Sequence, residues 1–434
     1  TSRRSRGGRE KKKSPVLCIG EEQPKNWFTE LQVLKGHFDI VRFLVQIDDF
    51  RCASAGDDGL VLVWNVETGE RLQELRGHSQ QITAMTTFTC ENGPTSHTSL
   101  ITASSDRSLS LWDPDTGNRV QTISDLQSSV KCLLVLERLC VWVSGGEELC
   151  VWNTDFQLQC QRQNQSDTEL PKNCVAAAVD KEIVIYRLTV STDSSMSLAE
   201  IHRLSDHQDR VRALINVSDG LFASGSHAGE LILWDAIDWN ILGYEHILWE
   251  ESQACSQAEI RLAAPKPSES VHSHILAAVG SGLYVYSIRT KTVVAYKKVA
   301  HDSNVLHTML LSDSELMSCS EDGSVRMWEI QDLPLPGEPA SPGFFGMWTF
   351  GRSNKQTGLP SKKVADVPPH IRTLELTGDL IGHSGAVQMF ASFGENGLLT
   401  CSTDHLLILW KNGERQSHLR SLALFQKLEE NGGL

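Results

Sequence analysis

Ala53-Ser54-Ala55-Gly56-Asp57-Asp58-Gly59-Leu60-Val61-Leu62-Val63-Trp64 is a pair of short apolar runs around a tight acidic turn, with Gly36-His37 standing upstream. Two such runs flanking a Gly/Asp turn read as adjacent strands of a β-hairpin. The pattern returns along the chain. His78, Thr102, Asp106 and Trp112 repeat His37, Ser54, Asp58 and Trp64, and so do His301, Ser318, Asp322 and Trp328, then His383, Thr400, Asp404 and Trp410. Asp stands six residues before Trp in each copy, and four Trp residues (Trp64, Trp234, Trp328, Trp410) follow a histidine by 27 residues. Eight apolar strands in all end in an aromatic: Trp64, Trp112, Trp152, Tyr186, Trp234, Tyr286, Trp328 and Trp410.

A period of roughly 40–45 residues with Gly-His and Trp signatures marks the WD40 β-propeller, so the expected class is all-β. By resemblance to that family, the Asp sits in a turn, orients the His, and the His meets the Trp. A buried polar set must be fully satisfied, which is why these residue types recur together. Four copies of one constellation argue for scaffold rather than for a hydrolase triad. The other repeats are degraded: the fifth keeps His207, Ser224 and Trp234 with Ala228 at the Asp position, and the third has Gly146 there and no His before Val130. The fourth and sixth are recognisable mainly by the strands 182–188 and 282–288. The count is eight blades, with seven plus an aberrant unit as the alternative. Residues 30–37 closely copy residues 71–78, an outer strand, yet no blade precedes them. The expectation is that residues 28–35 supply the outer strand of the last blade and close the ring, removing an exposed edge.

A length of 434 residues and 40% hydrophobic content suit one large propeller. The net charge of −14 divides into +6 over the first 15 residues and −20 over the rest. An acidic body argues against general nucleic-acid binding. The basic start reads as a disordered tail over 1–20, ahead of a propeller over 21–416. There is no apolar run of membrane-spanning length and no signal peptide at the start. Eleven cysteines without a Cys-x-x-Cys pair read as reduced core residues, among them Cys52, Cys319 and Cys401. No metal-spaced cluster, cofactor motif or His-Glu-x-x-His occurs. Gly346 to Ser353 outlines a phosphate loop, but Trp348 and Phe350 inside it would keep backbone amides from wrapping a phosphate.

Two segments are left over. From Trp328 to His383 the chain spends 55 residues where the first repeat spends 14, and the excess, about 331–371, falls between the third and fourth strands of blade seven. At its centre Phe344, Phe345, Met347, Trp348 and Phe350 precede Arg352. Such side chains cost roughly 1.5–3 kcal/mol each to leave in water, so the loop either folds back or binds a partner. The second segment, 417–434, reads as a helix capped by Ser417 with an apolar stripe of Leu419, Leu422, Phe425 and Leu428.

The strings Ala53 to Gly59 and Asp39 to Gln46, His301 to His307, and the ending from Trp410 to Arg415 and Leu424 to Asn431 carry a narrower resemblance. From about Gly20 onward the chain resembles a family of WD40-repeat propellers that are non-catalytic subunits of a lysosomal DENN-domain protein complex. The resemblance implies two DENN-domain partners, a role in small-GTPase regulation and autophagy, and a cytoplasmic protein recruited to lysosomes through a PQ-loop transporter of cationic amino acids. It implies a DENN-partner surface at Leu31, Val33, Leu419, Leu422, Phe425 and Leu428. The transporter contact falls on Phe344, Phe345, Met347, Trp348, Phe350 and Arg352. A substrate receptor of a ubiquitin ligase is the alternative, weakened because Trp112-Asp113-Pro114-Asp115 and Trp234-Asp235-Ala236-Ile237 lack the expected Arg.

Overall fold

In each repeat the second and third strands are apolar along nearly their whole length, as in Arg51–Gly56 and Val61–Asn65, which are buried at almost every position. Strands buried on both faces must be covered on both faces, and the covering element is the next sheet around a ring. The computed structural model, which describes residues 28–90, 97–162, 167–170, 173–190, 196–218, 220–247, 260–263, 274–332 and 372–430, has this architecture. Four-stranded antiparallel meanders follow one another along residues 41–75, 82–123, 132–162, 167–204, 211–246, 260–297 and 305–381. A last meander joins residues 387–411 to 30–34. We number them first to eighth in that order.

Packing follows the taper of such a ring. Second strands near the axis carry small residues, among them Ala53 and Ala55, Ala176 to Ala178, and Ala277 and Ala278, all buried. The widening space further out is filled by Trp64, Trp112, Trp234, Tyr286 and Trp328, also buried. Each apolar cluster spans two neighbouring meanders; one joins Leu34, Val41, Leu62 and Trp64 to Leu399, Cys401 and Leu409 across the junction of first and eighth. The buried thiols of Cys52, Cys319 and Cys401 are pushed up in pKa by that burial, so they are inert core groups.

The ring closes as the repeat copy implies. Strand Glu30–Leu34 pairs antiparallel with Leu407–Lys411, Leu31 opposite Trp410 and Val33 opposite Ile408. Buried Lys411 reinforces the junction by donating from Nζ to the Glu67 carbonyl of the first meander.

Two features were not in the sequence reading. The sixth and seventh meanders share one eight-stranded sheet, because strand Thr292–Lys297 pairs in parallel with Arg372–Ile381 through Ala295↔Arg372 and Tyr296↔Thr373. The C-terminal helix spans Gly413–Glu430 and so begins a turn before the expected start at Ser417. Asn412, not Ser417, caps it: the Asn412 Oδ1 accepts from the Arg415 amide at 3.1 Å. Gly413 lets the helix start in contact with Thr29: a Cβ there would stand 2.6 Å from Thr29 Oγ1, which accepts the Gly413 amide at 3.1 Å, and would push that side chain aside.

Candidate interaction site

The polar groups inside the ring come first, because they decide which residues are scaffold. In the first meander Trp64 Nε1 donates to Ser54 Oγ at 2.8 Å, Ser54 Oγ lies 2.8 Å from His37 Nε2, and His37 Nδ1 lies 2.9 Å from Asp58 Oδ2. The hydroxyl is therefore the hub, and the His reaches the Trp through it rather than directly as the family resemblance suggested. One assignment of protons satisfies every group: Trp N–H to hydroxyl oxygen, hydroxyl to Nε2, and Nδ1–H to carboxylate. That assignment requires a neutral imidazole. The seventh and eighth meanders repeat it through His301, Ser318, Asp322 and Trp328, and through His383, Thr400, Asp404 and Trp410. Burial, opposed by the carboxylate, holds His301 and His383 below the usual histidine pKa. In the second, His78 Nε2 meets Thr102 Oγ1 at 2.7 Å and Trp112 donates to the same hydroxyl. There Ser108 Oγ, 2.9 Å from Nδ1, relays to Asp106 Oδ1, while the nearest Asp106 oxygen stands at 3.4 Å.

The fifth meander corrects the sequence reading. Ala228 at the Asp position predicts a degraded repeat, yet its network is complete. Glu230, two residues on and wholly buried, places Oε2 at 3.2 Å from His207 Nδ1. The same carboxylate accepts from Ser226 Oγ at 2.7 Å, the Gln208 amide at 3.0 Å and Tyr244 Oη at 3.1 Å. Ala228 lies in the turn, and Glu230, the first residue of the following strand, stands where Ser108 and Ser324 also meet the His Nδ1 in the second and seventh meanders. An acidic residue opening an otherwise apolar strand was the available signal. The third meander lacks a His: Trp152 donates to Ser144 Oγ at 2.8 Å, and Trp142 stacks on Trp152 with centroids 5.4 Å apart. In the sixth, the Tyr286 hydroxyl is buried with no hydrogen-bond partner among the described residues.

With these groups assigned to scaffold, the surface candidates remain. On the closing strand Leu31 and Val33 are 49% and 41% exposed while Leu34 is buried, so the first two point outward. The helix leaves the end of the partner strand and is tied back beside it. Arg420 donates to both Glu30 carboxylate oxygens at 3.0–3.1 Å, and Arg415 reaches the Glu395 carboxylate at 2.8 Å. Leu419 and Leu422 nevertheless stand 45% and 46% exposed. Polar clamps fix the helix and leave its apolar residues uncovered. Phe425 and Leu428 lie on the same helix, but their side chains are outside the described residues.

The insertion's core, Phe344, Phe345, Met347, Trp348, Phe350 and Arg352, also lies outside the described residues. Its two roots do not. Asp332 and Arg372 face each other at the end of an antiparallel pair, and Arg372 is held from the other side by Ala295. Among the described residues no group of three or more His, Cys, Asp or Glu could hold a metal ion, and no helix is long and apolar enough to cross a membrane.

Comparison with known proteins agrees with this reading. The profile of the WDR41 β-propeller family matches residues 1–420. The chain is 54% identical to WD repeat-containing protein 41 of Homo sapiens over 449 residues, covering 99% of this chain and 98% of that one. Identity to WD repeat-containing protein 41 of Mus musculus is 50% over 454 residues, covering 99% and 97%. A crystal structure of the computationally designed Ika8 protein superposes with a TM-score of 0.60 at 18% identity, covering 87% of this chain and 98% of that one, a likeness of fold alone.

Proposed function

The chain belongs to the WDR41 β-propeller family, a family of scaffold proteins rather than enzymes, and from that premise we propose that it is a two-ended tether built on an eight-bladed ring. One end, Leu31, Val33, Leu419, Leu422, Phe425 and Leu428, binds a complex of two DENN-domain proteins. The other, Phe344 to Arg352, engages a lysosomal PQ-loop transporter of cationic amino acids. The aromatics fill the transporter's cytosol-facing cavity and Arg352 takes the place of its cationic substrate. The role is to locate a small-GTPase regulator on lysosomes in support of autophagy.

The observation that carries this reading is the uncovered apolar surface on clamped elements. Leu419 and Leu422 sit on a helix that Arg415, Arg420 and Asn412 hold beside the closing strand, so a partner meets an apolar surface already arranged. Exposed apolar groups on a fixed frame are the usual composition of a docking site. The paired roots Asp332 and Arg372 support the second end: the insertion leaves and re-enters at one point of a sheet.

Recruitment assays in cells test both ends. A chain lacking 341–352 should assemble with the DENN partners and fail to reach lysosomes bearing the transporter. A chain with Leu419→Asp and Leu422→Asp should reach lysosomes without those partners. If both variants keep both associations, the contacts lie elsewhere on the ring and the assignment is wrong.

A further inference from the structure

Between the outer strand of the fifth meander, Ile241–His246, and the two outer strands of the sixth, Gly282–Ser287 and Thr292–Lys297, lies a cleft of about 200 Å³. Its walls are Glu245, His246, Ile247, Tyr284, Val293, Tyr296 and Lys298. Sites for small molecules and cofactors run to roughly 300–1,000 Å³, so this one has room for a single side chain. Tyr284 and Tyr296 stack with centroids 6.2 Å apart and planes 16° apart, and Tyr296 is 41% exposed, presenting a π surface to the opening.

The polar groups in this corner are ill-matched. Glu245 has no hydrogen bond or ion pair among the described residues, and burial raises its pKa; Lys298 lines the cleft without an ion pair to it. Behind it the buried Tyr286 hydroxyl packs against the Gly243 backbone, also without a partner among the described residues. A second orphaned oxygen beside a partly desolvated carboxylate costs stability, and no described neighbour offsets it. His246 is committed, its Nε2 lying 3.0 Å from the Ala228 carbonyl.

We propose that this cleft is a receptor for one cationic side chain, lysine or arginine, displayed by a partner protein. The aromatic face supplies a cation–π contact and Glu245 the charge-assisted hydrogen bond. The proposal is independent of the tether, since none of these residues belongs to either of its ends.

The test uses the full chain and three peptides, Gly-Gly-Arg-Gly-Gly, Gly-Gly-Lys-Gly-Gly and the citrulline counterpart of the first, followed by ligand-observed saturation-transfer NMR. At least one cationic peptide should bind saturably and citrulline about ten-fold more weakly, the loss expected for one charged hydrogen bond. Glu245→Gln and Tyr296→Ala should each weaken the cationic peptide by about ten-fold, while Glu245→Gln melts at or above the parent temperature. Equal binding of citrulline, undiminished binding by Glu245→Gln, or no binding of any peptide overturns the proposal. A lower melting temperature for Glu245→Gln also overturns it, by showing the carboxylate to be structural.

Discussion

The seventh and sixth meanders share one sheet yet are held together by different means. In the seventh, Trp328, Ser318, His301 and Asp322 form an unbroken chain of donors and acceptors in a buried setting. In the sixth, Tyr286 occupies the Trp position, is as deeply buried, and has a hydroxyl bonded to nothing described. The strands pair equally well in both. The network is thus dispensable for forming a meander. Its role is to satisfy polar groups already buried, and a repeat that loses the His can keep its shape by apolar packing against neighbours.

Four measurements break or sharpen that contrast. Trp328→Ala should be the most damaging, about 3–5 kcal/mol by urea unfolding, since it empties a large buried volume and removes the indole N–H that donates to Ser318 Oγ. Next, Ser318→Ala should cost about 1–3 kcal/mol, because the Trp328 N–H and His301 Nε2 lose their shared partner. If Ser318→Ala is neutral, the network is ornamental and the contrast collapses.

The third concerns pH. His78, His207, His301 and His383 are each held below 6.5, chiefly by burial, so the unfolded chain takes up protons that the folded chain refuses. Their contribution is complete above about pH 6.5 and declines as pH falls below it. Asp322 is depressed from 3.8 to about 2, mainly by hydrogen bonds from Ser324 against a burial effect of opposite sign. Its share is present above pH 3.8 and is lost toward pH 2. Melting temperature should therefore fall in two stages on acidification; a flat profile from pH 7 to 5 would show the histidines charging inside the fold at no cost.

Smallest is Tyr286→Phe, expected within about 0.5 kcal/mol of the parent and on the stabilising side, since the hydroxyl forms no bond described. A loss comparable to that of Ser318→Ala would reveal a partner for Tyr286 and make the two meanders alike after all.

Periodicity made most of this architecture readable. The Gly-His, Asp and Trp spacings located the intact networks, and the copy of residues 71–78 at 30–37 located the closure. What escaped depends on reach rather than on position. Glu230 serves His207 from two residues beyond the expected place, at the start of the strand rather than in the turn, and its longer side chain spans the difference. Gly413 looks like a helix breaker in isolation, and its missing Cβ is what lets the helix start against Thr29. The parallel pairing of Ala295 with Arg372 joins segments separated by three strands and the insertion and has no local signature. Of the candidate contacts, Leu31, Val33, Leu419 and Leu422 stand outward, as an unpartnered apolar pattern implies.

The clasp between Glu30–Leu34 and Leu407–Lys411 also sets a clock. Arg420, the residue that clamps Glu30, is translated 390 residues after it. At roughly 5–20 residues per second that interval lasts about 20–80 s. Throughout it strand Glu30–Leu34 lacks its mate, Leu407–Lys411, and an unpaired strand is a template for any other strand nearby. Slower synthesis is then expected to lower the soluble yield, which a slow-codon variant between residues 34 and 407 would measure.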